Sequence, residues 1–260
     1  MYYHLIMLQA KARTEYRGAF ILLCIAKVVG WGASFIMILL MLNRFDNIGG
    51  WTRYDLIFLQ AMNMLAYALI AQFLNNPCGL LPQNIRTGTM DGILVKPVNP
   101  FFYYIFNLFS MGYVSMIILG AGLMLYVLPQ VSFEPTAPNI IFLIISLIGA
   151  ALIEGAIMLF AALPSFWVVK SNAVTLVSWQ LKRFIDYPIT IYNRFIQVLL
   201  TFVLPYAFIS FFPAERILGI DSQSFPFWFA FLTLPIGFIL IFIAYKLWFV
   251  GLKYYESTGS

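Results

Sequence analysis

Residues 139–164 read NIIFLIISLIGAALIEGAIMLFAALP and carry a single charged side chain, Glu154. An α-helix rises about 1.5 Å per residue, so a run of this length can cross a hydrocarbon core about 30 Å thick. A transmembrane β-barrel instead has segments of about ten residues that alternate between apolar and polar, and the run from Ile140 to Ile148 does not alternate. The stretch is therefore predicted to be a transmembrane helix.

The composition extends this prediction to the whole chain. Of the 260 residues, 62% are hydrophobic and only 10% are charged, and the mean hydropathy is +0.90. Since soluble domains carry about 25% charged residues, a soluble globular protein is excluded. The sequence predicts one all-α, polytopic membrane domain, 1–260, with six transmembrane helices near 19–42, 55–75, 101–128, 139–164, 193–212 and 226–250.

The distribution of lysine and arginine predicts the orientation. Six spans put both termini on one side, where ten cations are expected: Lys11, Arg13, Arg17, Arg86, Lys96, Lys170, Lys182, Arg183, Arg194 and Lys253. The opposite loops hold three: Arg44, Arg53 and Arg216. The positive-inside bias therefore places both termini in the cytoplasm. The net charge of +5 is spread over short loops, so no nucleic-acid partner is expected.

Three segments outside the spans are long enough to have structure of their own. Residues 1–18 mix apolar and charged side chains, which predicts an amphipathic interfacial helix in contact with membrane lipids; a frayed terminus is the alternative. They lack the pattern of a cleavable signal, so the first span should be retained. The stretches 76–100 and 165–193 exceed ordinary loop lengths, and both are expected to form short helices at the cytoplasmic face.

No catalytic, cofactor-binding or metal-ligating residue is predicted. The phosphate-binding pattern G-x-x-x-x-G-K-[ST] is absent, so the chain is not expected to hydrolyse ATP by itself. The only histidine, His4, lies near the start of the chain, which leaves a Ser-His-Asp triad or a histidine metal site without support. The chain is expected not to be an enzyme.

Two charged residues inside the predicted spans are candidate functional groups, because a charge at the bilayer centre costs about 2.5–3.5 kcal/mol. Glu154 shares a helix face with Ser146 and Ala150, small residues that allow close helix contact, and should face such a contact or a cavity. It is either a hydrogen-bonded carboxyl within the bundle or part of a transport path. Lys27 is either an interfacial anchor, whose stem reaches the membrane surface, or a functional charge.

A polar stripe marks the second predicted span. Gln60, Asn63 and Tyr67 occupy positions i, i+3 and i+7, which is one face of a helix. Amide and hydroxyl groups in a membrane either line a translocation path or join helices and subunits, and both interpretations remain open here.

Two stretches resemble a known family. Residues 86–100, RTGTMDGILVKPVNP, are similar to the segment that follows the second span of bacterial ABC-2 type permeases. Residues 184–219, FIDYPITIYNRFIQVLLTFVLPYAFISFFPAERILG, resemble the branch of that family formerly known only as a domain of unknown function. The matching positions are Tyr187, Pro188, Tyr192, Pro205, Phe208, Pro213 and Ala214, followed near the end of the chain by Trp248, Gly251, Tyr255, Ser257 and Gly259.

The resemblance implies a membrane subunit of an ATP-driven exporter in the bacterial plasma (inner) membrane. Two ABC ATPase subunits and a second permease, identical or related, are the implied partners, with ATP and Mg²⁺ bound by the ATPases. The implied contact with the ATPase lies in the 76–100 loop at Gly88, Asp91, Gly92, Lys96, Pro97 and Asn99. An extracellular re-entrant or lid segment, 213–225, is implied together with Pro205, Phe208 and Pro213.

The expected function is export of an amphipathic or hydrophobic substrate by alternating access. Aromatic richness, with 26 Phe and 15 Tyr, is in keeping with such a substrate without identifying it. One alternative is an ion-coupled secondary transporter that uses Lys27 and Glu154. Another is a membrane scaffold that transports nothing.

Overall fold

The computed structural model describes residues 2–15, 17–42, 47–168, 172–220 and 224–256. Over these ranges the fold is all-helical, apart from an isolated β-bridge between Ile48 and Trp51. Its α-helices are α1 (Tyr2–Glu15), α2 (Arg17–Leu42), α3 (Arg53–Arg86), α4 (Asp91–Leu94), α5 (Pro100–Asn107), α6 (Val114–Val127), α7 (Ala137–Ala162), α8 (Asn172–Lys182), α9 (Arg194–Val198), α10 (Phe211–Leu218) and α11 (Thr233–Lys253).

The 34-residue α3 is the central helix, and it is continuously buried from Leu56 to Ala68. A capping box begins it: the Thr52 hydroxyl accepts from the Asp55 backbone amide, and the Asp55 carboxylate accepts from the Thr52 amide at 2.8 Å. Beyond its last turn, Gly88 takes a left-handed φ of 69°, which turns the chain toward α4. The two ends of the bundle are called the Trp51 end and the Arg86 end below.

The segment that follows the loop after α3 packs along α3 as two helices, α5 and α6, with a break between them. Between α5 and α6 the helical pattern stops at Leu108–Ser110, within the predicted span 101–128. The Ser110 amide donates to the Gln72 carbonyl at 2.9 Å, and the Asn76 side chain donates to the Leu108 carbonyl at 3.3 Å. Because lipid cannot satisfy backbone groups, such a break is tolerated only where neighbouring protein supplies partners, and α3 supplies them here.

The α7 and α11 helices run parallel in close contact. A Cβ atom placed on Gly149 would lie 2.7 Å from the Leu234 backbone, and one on Gly237 would lie 2.7 Å from the Gly149 carbonyl oxygen. At the Arg86 end, Gly251 packs in the same way against the ring of Phe166. Small residues let helix backbones approach in membranes, so these glycines determine how the two helices pack.

Four helices are long and apolar enough to cross a membrane within the described residues: Arg53–Arg86, Met111–Gln130, Ala137–Phe166 and Phe227–Lys253. They overlap four of the predicted spans. The first predicted span overlaps α2, which is not among these four. The predicted span near 193–212 is not one straight helix, because Arg194–Val203 and Tyr206–Leu218 meet at 78°. Four or five candidates are thus found, and the number six remains a prediction.

The stretch 165–193 differs from the interfacial helices predicted for it. Phe166 belongs to the hydrophobic cluster at the Arg86 end, whereas Ile185 and Ile189 belong to the cluster at the Trp51 end. A Cβ atom on Gly49 would lie 2.9 Å from Ile191, so the stretch reaches the loop beside Trp51. The described part 172–191 therefore runs along the bundle, where Ile185 and Ile189 are buried and Lys182 has a partner inside.

The N-terminal helix α1 packs against α5. The Tyr2 ring lies 5.3 Å from Phe106 and 6.2 Å from Phe102. Apolar and polar residues are mixed around α1 with little segregation, which departs from the predicted amphipathic pattern. Its place at the membrane surface stays a prediction. Other predicted features lie outside the described residues, namely Arg44, Lys170, Ser257, Gly259 and part of the 213–225 lid, at 221–223.

The glycine contact between α7 and α11 predicts that a larger residue at Gly149 lowers the stability of the fold. Gly149→Ala should lower the free energy of unfolding by about 1–3 kcal/mol, since the added methyl group meets backbone atoms that cannot rotate away. Gly122→Ala is the matched control, because no atom lies within 4 Å of its Cβ position and the helix-propensity gain is the same. Thermal unfolding of both variants in detergent measures the difference, and equal midpoints would contradict the close contact.

Candidate functional site

A buried ion pair joins α7 to α8. The Lys182 ammonium lies 2.6 Å from Glu154 Oε1, and only 6% and 4% of the two side chains are exposed. Sequence analysis placed Glu154 at a helix contact or cavity, and the structure places it at both. Each charge would be costly to bury alone, so each requires the other in the interior.

Aromatic rings surround the ammonium group. Lys182 Nζ lies 4.2 Å from the centre of the Tyr67 ring, 5.6 Å from Trp31 and 5.7 Å from Trp179. Tyr67 stacks on Trp31 and meets Trp179 edge to face at 5.4 Å. The rings present their negative faces to the cation, which stabilises a buried charge.

The polar stripe of α3 faces the same segment. Gln60 Nε2 donates to the backbone carbonyl of Asp186 at 2.7 Å, and Gln60 and Asn63 each donate to its carboxylate at 3.4 Å. The stripe therefore joins α3 to the chain after α8. That the stripe lines a translocation path stays a prediction.

Sequence reasoning missed Lys182 and Asp186 as interior residues. It assigned Lys182 to the cytoplasmic charge count, because a cation between two apolar blocks normally marks a loop. The available signal was the apolar run that precedes it, AVTLVSW at 173–179, which is too hydrophobic for a solvated connection. The spacing of Lys182 and Asp186, one helical turn apart, was a second signal.

A cavity of about 110 Å³ lies beside the ion pair, between α3, α7 and α8. It is called the Glu154 cavity here, and its walls include Asn75, Glu154, Ser178, Trp179, Lys182 and Tyr206. Among the described residues, no hydrogen-bond partner reaches Glu154 Oε2, although this atom is buried. The carboxylate thus uses one oxygen for Lys182, and the other is buried without a hydrogen-bond partner among the described residues.

A second cavity of about 370 Å³ lies between α2 and α8, lined by Trp31, Trp179, Lys182, Arg183 and Asp186 among others. It shares Trp179 and Lys182 with the Glu154 cavity. The helix α8 therefore lies between the two cavities and contributes side chains to both. A movement of this one helix would change the shape of both cavities.

The other predicted intramembrane charge lies elsewhere. Lys27 of α2 places its ammonium 3.4 Å from the centre of the Tyr113 ring and is half-buried. Its stem packs against Gly112, where a Cβ atom would lie 3.0 Å from Lys27 Cε. Glu154 is paired with Lys182 instead, so Lys27 and Glu154 form no ion pair with each other.

The predicted contact with an ATPase falls in a structured loop, residues 87–99, called the coupling loop here. Met90 and Ile93 are buried and anchor it, whereas Leu94 and Val95 are exposed, Val95 to 82%. Asp91 accepts a hydrogen bond from the Tyr255 hydroxyl at 2.9 Å. Burial and the Asp91 carboxylate raise the pKa of Tyr255 to about 12, so this hydroxyl remains protonated throughout the neutral range.

The remaining predicted coupling residues shape the exit from the loop. Asn99 caps α5 by accepting from the Phe101 and Phe102 amides, and its side chain donates to Tyr245 of α11 at 3.0 Å. Lys96 donates to the Tyr103 hydroxyl. Gly88 makes the turn described above, and Gly92 and Pro97 are exposed. The loop is thus a fixed projection with an open apolar tip.

The predicted lid residues lie in the bent pair at the Trp51 end. Pro205 stands at the 78° bend between the two helical arms. Phe208 stacks on Phe229 at 5.9 Å, and Pro213 is buried in α10. Tyr206, next to the bend, reaches the Glu154 cavity. Pro205, Phe208 and Pro213 do not line that cavity themselves, so a lid role for them stays a prediction.

Comparison with known proteins assigns the chain to a family. A family model described as "ABC-2 family transporter protein" matches residues 28–259, which is well over half of the chain. The chain belongs to the ABC-2 transporter family. No curated protein and no solved structure matches it. As an ABC-2 family member with several apolar helices of membrane-spanning length, it is a multi-pass membrane permease of an ABC transporter.

The buried ion pair of this ABC-2 permease can be tested by a double-mutant cycle. Lys182→Met should lower the free energy of unfolding by about 3–5 kcal/mol, because it leaves Glu154 buried without a cation. Glu154→Gln should lower the free energy of unfolding by less than Lys182→Met does, since Asp186 still attracts Lys182. The double variant should be more stable than Lys182→Met alone, because no uncompensated charge remains. Strictly additive losses in denaturant unfolding would show that the two groups do not interact.

Proposed function

We propose that this permease is the membrane subunit of an ATP-driven exporter that moves an amphipathic or hydrophobic substrate out of a bacterial cell. The family match over residues 28–259 carries this proposal. The sequence has no phosphate-binding motif, so the ATP and Mg²⁺ would be bound by separate ATPase subunits. Two ATPases and a second permease, identical or related, would complete the complex.

The coupling loop is the proposed contact with the ATPase. Its exposed tip, Leu94 and Val95, offers an apolar surface, and buried Met90 and Ile93 connect that tip to the bundle. The loop also contacts the end of α11 through Asp91 and Tyr255. A displacement of the tip would therefore be transmitted to α3, which precedes the loop, and to α11.

The spaces on either side of α8 are the proposed route of the substrate. We infer that the segment 172–191 makes the fifth membrane crossing, because Thr175 donates to Ala161, next to the cluster at the Arg86 end, and Ile191 lies beside Gly49 at the Trp51 end. The bent pair at 194–218 would then be a re-entrant lid on the outer side. Alternating access would consist of a movement of α8 between its two cavities.

The orientation proposed from sequence survives this revision. Placing Lys182 inside the bundle, Arg183 at the second cavity and Arg194 at the Trp51 end leaves seven cations on the proposed cytoplasmic side and four opposite. Arg194 belongs at the Trp51 end because it donates to the Ser224 carbonyl and lies 4.4 Å from the Phe225 ring. The bias still favours both termini in the cytoplasm and insertion in the plasma membrane.

No observation favours the ion-coupled alternative. It assigns ion coupling to Lys27 and Glu154, and in the structure these charges contact Tyr113 and Lys182 respectively. The scaffold alternative likewise gains no support from the family match, which is to transporter proteins.

Purification from the native membrane tests the assembly. The chain should copurify in mild detergent with an ABC ATPase, and the sample should hydrolyse ATP. A homogeneous chain with no ATPase partner and no hydrolysis would overturn the exporter proposal.

A charge reversal tests the coupling loop. Asp91→Arg should uncouple ATP hydrolysis from transport in the reconstituted complex, reducing transport per ATP by about tenfold or more, because it reverses the charge at the proposed contact. Tyr255→Phe is the matched control: it removes the same hydrogen bond and keeps the carboxylate, so coupling should stay within about twofold of wild type. Unchanged coupling in Asp91→Arg would remove the loop from the proposed contact.

A further inference from the structure

The Glu154 cavity contains a buried acceptor without a donor. Glu154 Oε2 is buried and unpartnered among the described residues, while Oε1 already takes the Lys182 ammonium. A buried carboxylate oxygen without a hydrogen bond carries the full cost of its desolvation. The cavity into which Glu154 projects is therefore expected to hold a group that donates to it.

The hydroxyl groups around the cavity cannot be that donor. The Tyr206 hydroxyl donates to the Ser178 carbonyl at 3.0 Å, and the two hydroxyls are 2.9 Å apart, so Ser178 is left to donate to Tyr206. Thr175 donates to the Ala161 carbonyl. These hydroxyl donors are already used within the protein, so the neutral side-chain NH groups of Asn75 and Trp179 are the other donors of the lining, and Glu154 supplies its charged acceptor.

The same bonding pattern disfavours an anionic group. The only ammonium lining the cavity, Lys182, is held by Glu154, and an anion would have to displace that carboxylate. The other nearby cation, Arg183, is exposed and lines the second cavity instead. A sulfate or phosphate headgroup would therefore meet a carboxylate and no cation that is free of an ion pair.

The size and walls favour a small cation. A volume of about 110 Å³ accommodates a headgroup but not an entire amphiphile. Trp179 supplies an aromatic wall, and a cation near such a face is attracted by its quadrupole. A charged donor also makes a stronger hydrogen bond to a carboxylate than a neutral hydroxyl does.

We propose that the Glu154 cavity binds the protonated primary amine headgroup of an amphipathic substrate, with Glu154 Oε2 as the acceptor. The chain of such a molecule would lie along the apolar side chains of the same wall, Ile157 and Met158. This inference rests on the proposed exporter function and narrows its substrate to cationic amphiphiles.

Equilibrium binding of tritiated octylamine to the full chain in lipid nanodiscs tests the proposal. Wild type should show saturable binding above the lipid background. Glu154→Gln should weaken it about tenfold or more, because the charged acceptor is lost. Glu134→Gln, at an exposed carboxyl between α6 and α7, is the matched control and should bind as wild type does.

A double variant and a competition series test the proposal even if Glu154→Gln does not fold. If Glu154→Gln fails to fold, the double variant Glu154→Gln/Lys182→Met removes both charges and should fold without binding octylamine. Competition in wild type should rank octylamine above octyltrimethylammonium, which cannot donate, and well above octyl sulfate. Equal competition by octyl sulfate, or unchanged affinity in a folded Glu154 variant, would overturn the proposal.

The outcomes separate this inference from the exporter proposal. Absence of saturable binding in wild type would mean that the cavity holds water only, even if an ATPase copurifies and the exporter proposal stands. Saturable binding without an ATPase partner would support the amine site and overturn the exporter.

Discussion

The contact between Lys182 and Glu154 determines how the second half of the chain folds. In a low-dielectric interior a lone ammonium and a lone carboxylate are each unfavourable, so the segment that carries Lys182 must reach α7. Once α8 lies there, Asp186 meets the amides of α3 and Tyr206 meets Ser178. Tyr206, which follows the bend at Pro205, lines the cavity together with both members of the ion pair.

Backbone hydrogen bonding is the second constraint, and it explains why breaks in helices occur only at certain places. The interruption at Leu108–Ser110 is stabilised by Gln72 and Asn76 of α3. The π-helical turn Leu199–Val203, which precedes the bend, packs within the cluster at the Trp51 end. The first interruption takes its polar partners from α3, as lipid could not supply them, and the second buries Leu200 in the cluster.

The all-helical class and the approximate positions of α3, α6, α7 and α11 follow from sequence, because a run of about 20 apolar residues has few other ways to satisfy its backbone in lipid. The position of Glu154 at a contact also follows, from the cost of burying its charge. The course of 165–193 does not. Topology rules treat a lysine between apolar blocks as water-facing, and only the three-dimensional arrangement shows that Lys182 has a partner 28 residues earlier. The 78° bend cannot be predicted from sequence for a similar reason, since Pro205 alone is compatible with a kink, a helix end or a re-entrant turn.

The unbroken length of α3 has a mechanical consequence. Thirty-four residues at about 1.5 Å each make a rod of about 51 Å, from the Thr52 cap to the coupling loop. Its two internal prolines, Pro77 and Pro82, are both in the half nearest that loop, where each removes a backbone hydrogen bond. The helix α3 therefore bends most easily in the half nearest the coupling loop. The half that carries Gln60, Asn63 and Tyr67 is stiff. A displacement applied at the loop would be absorbed partly by bending near the prolines and transmitted onward as a tilt of the rigid half.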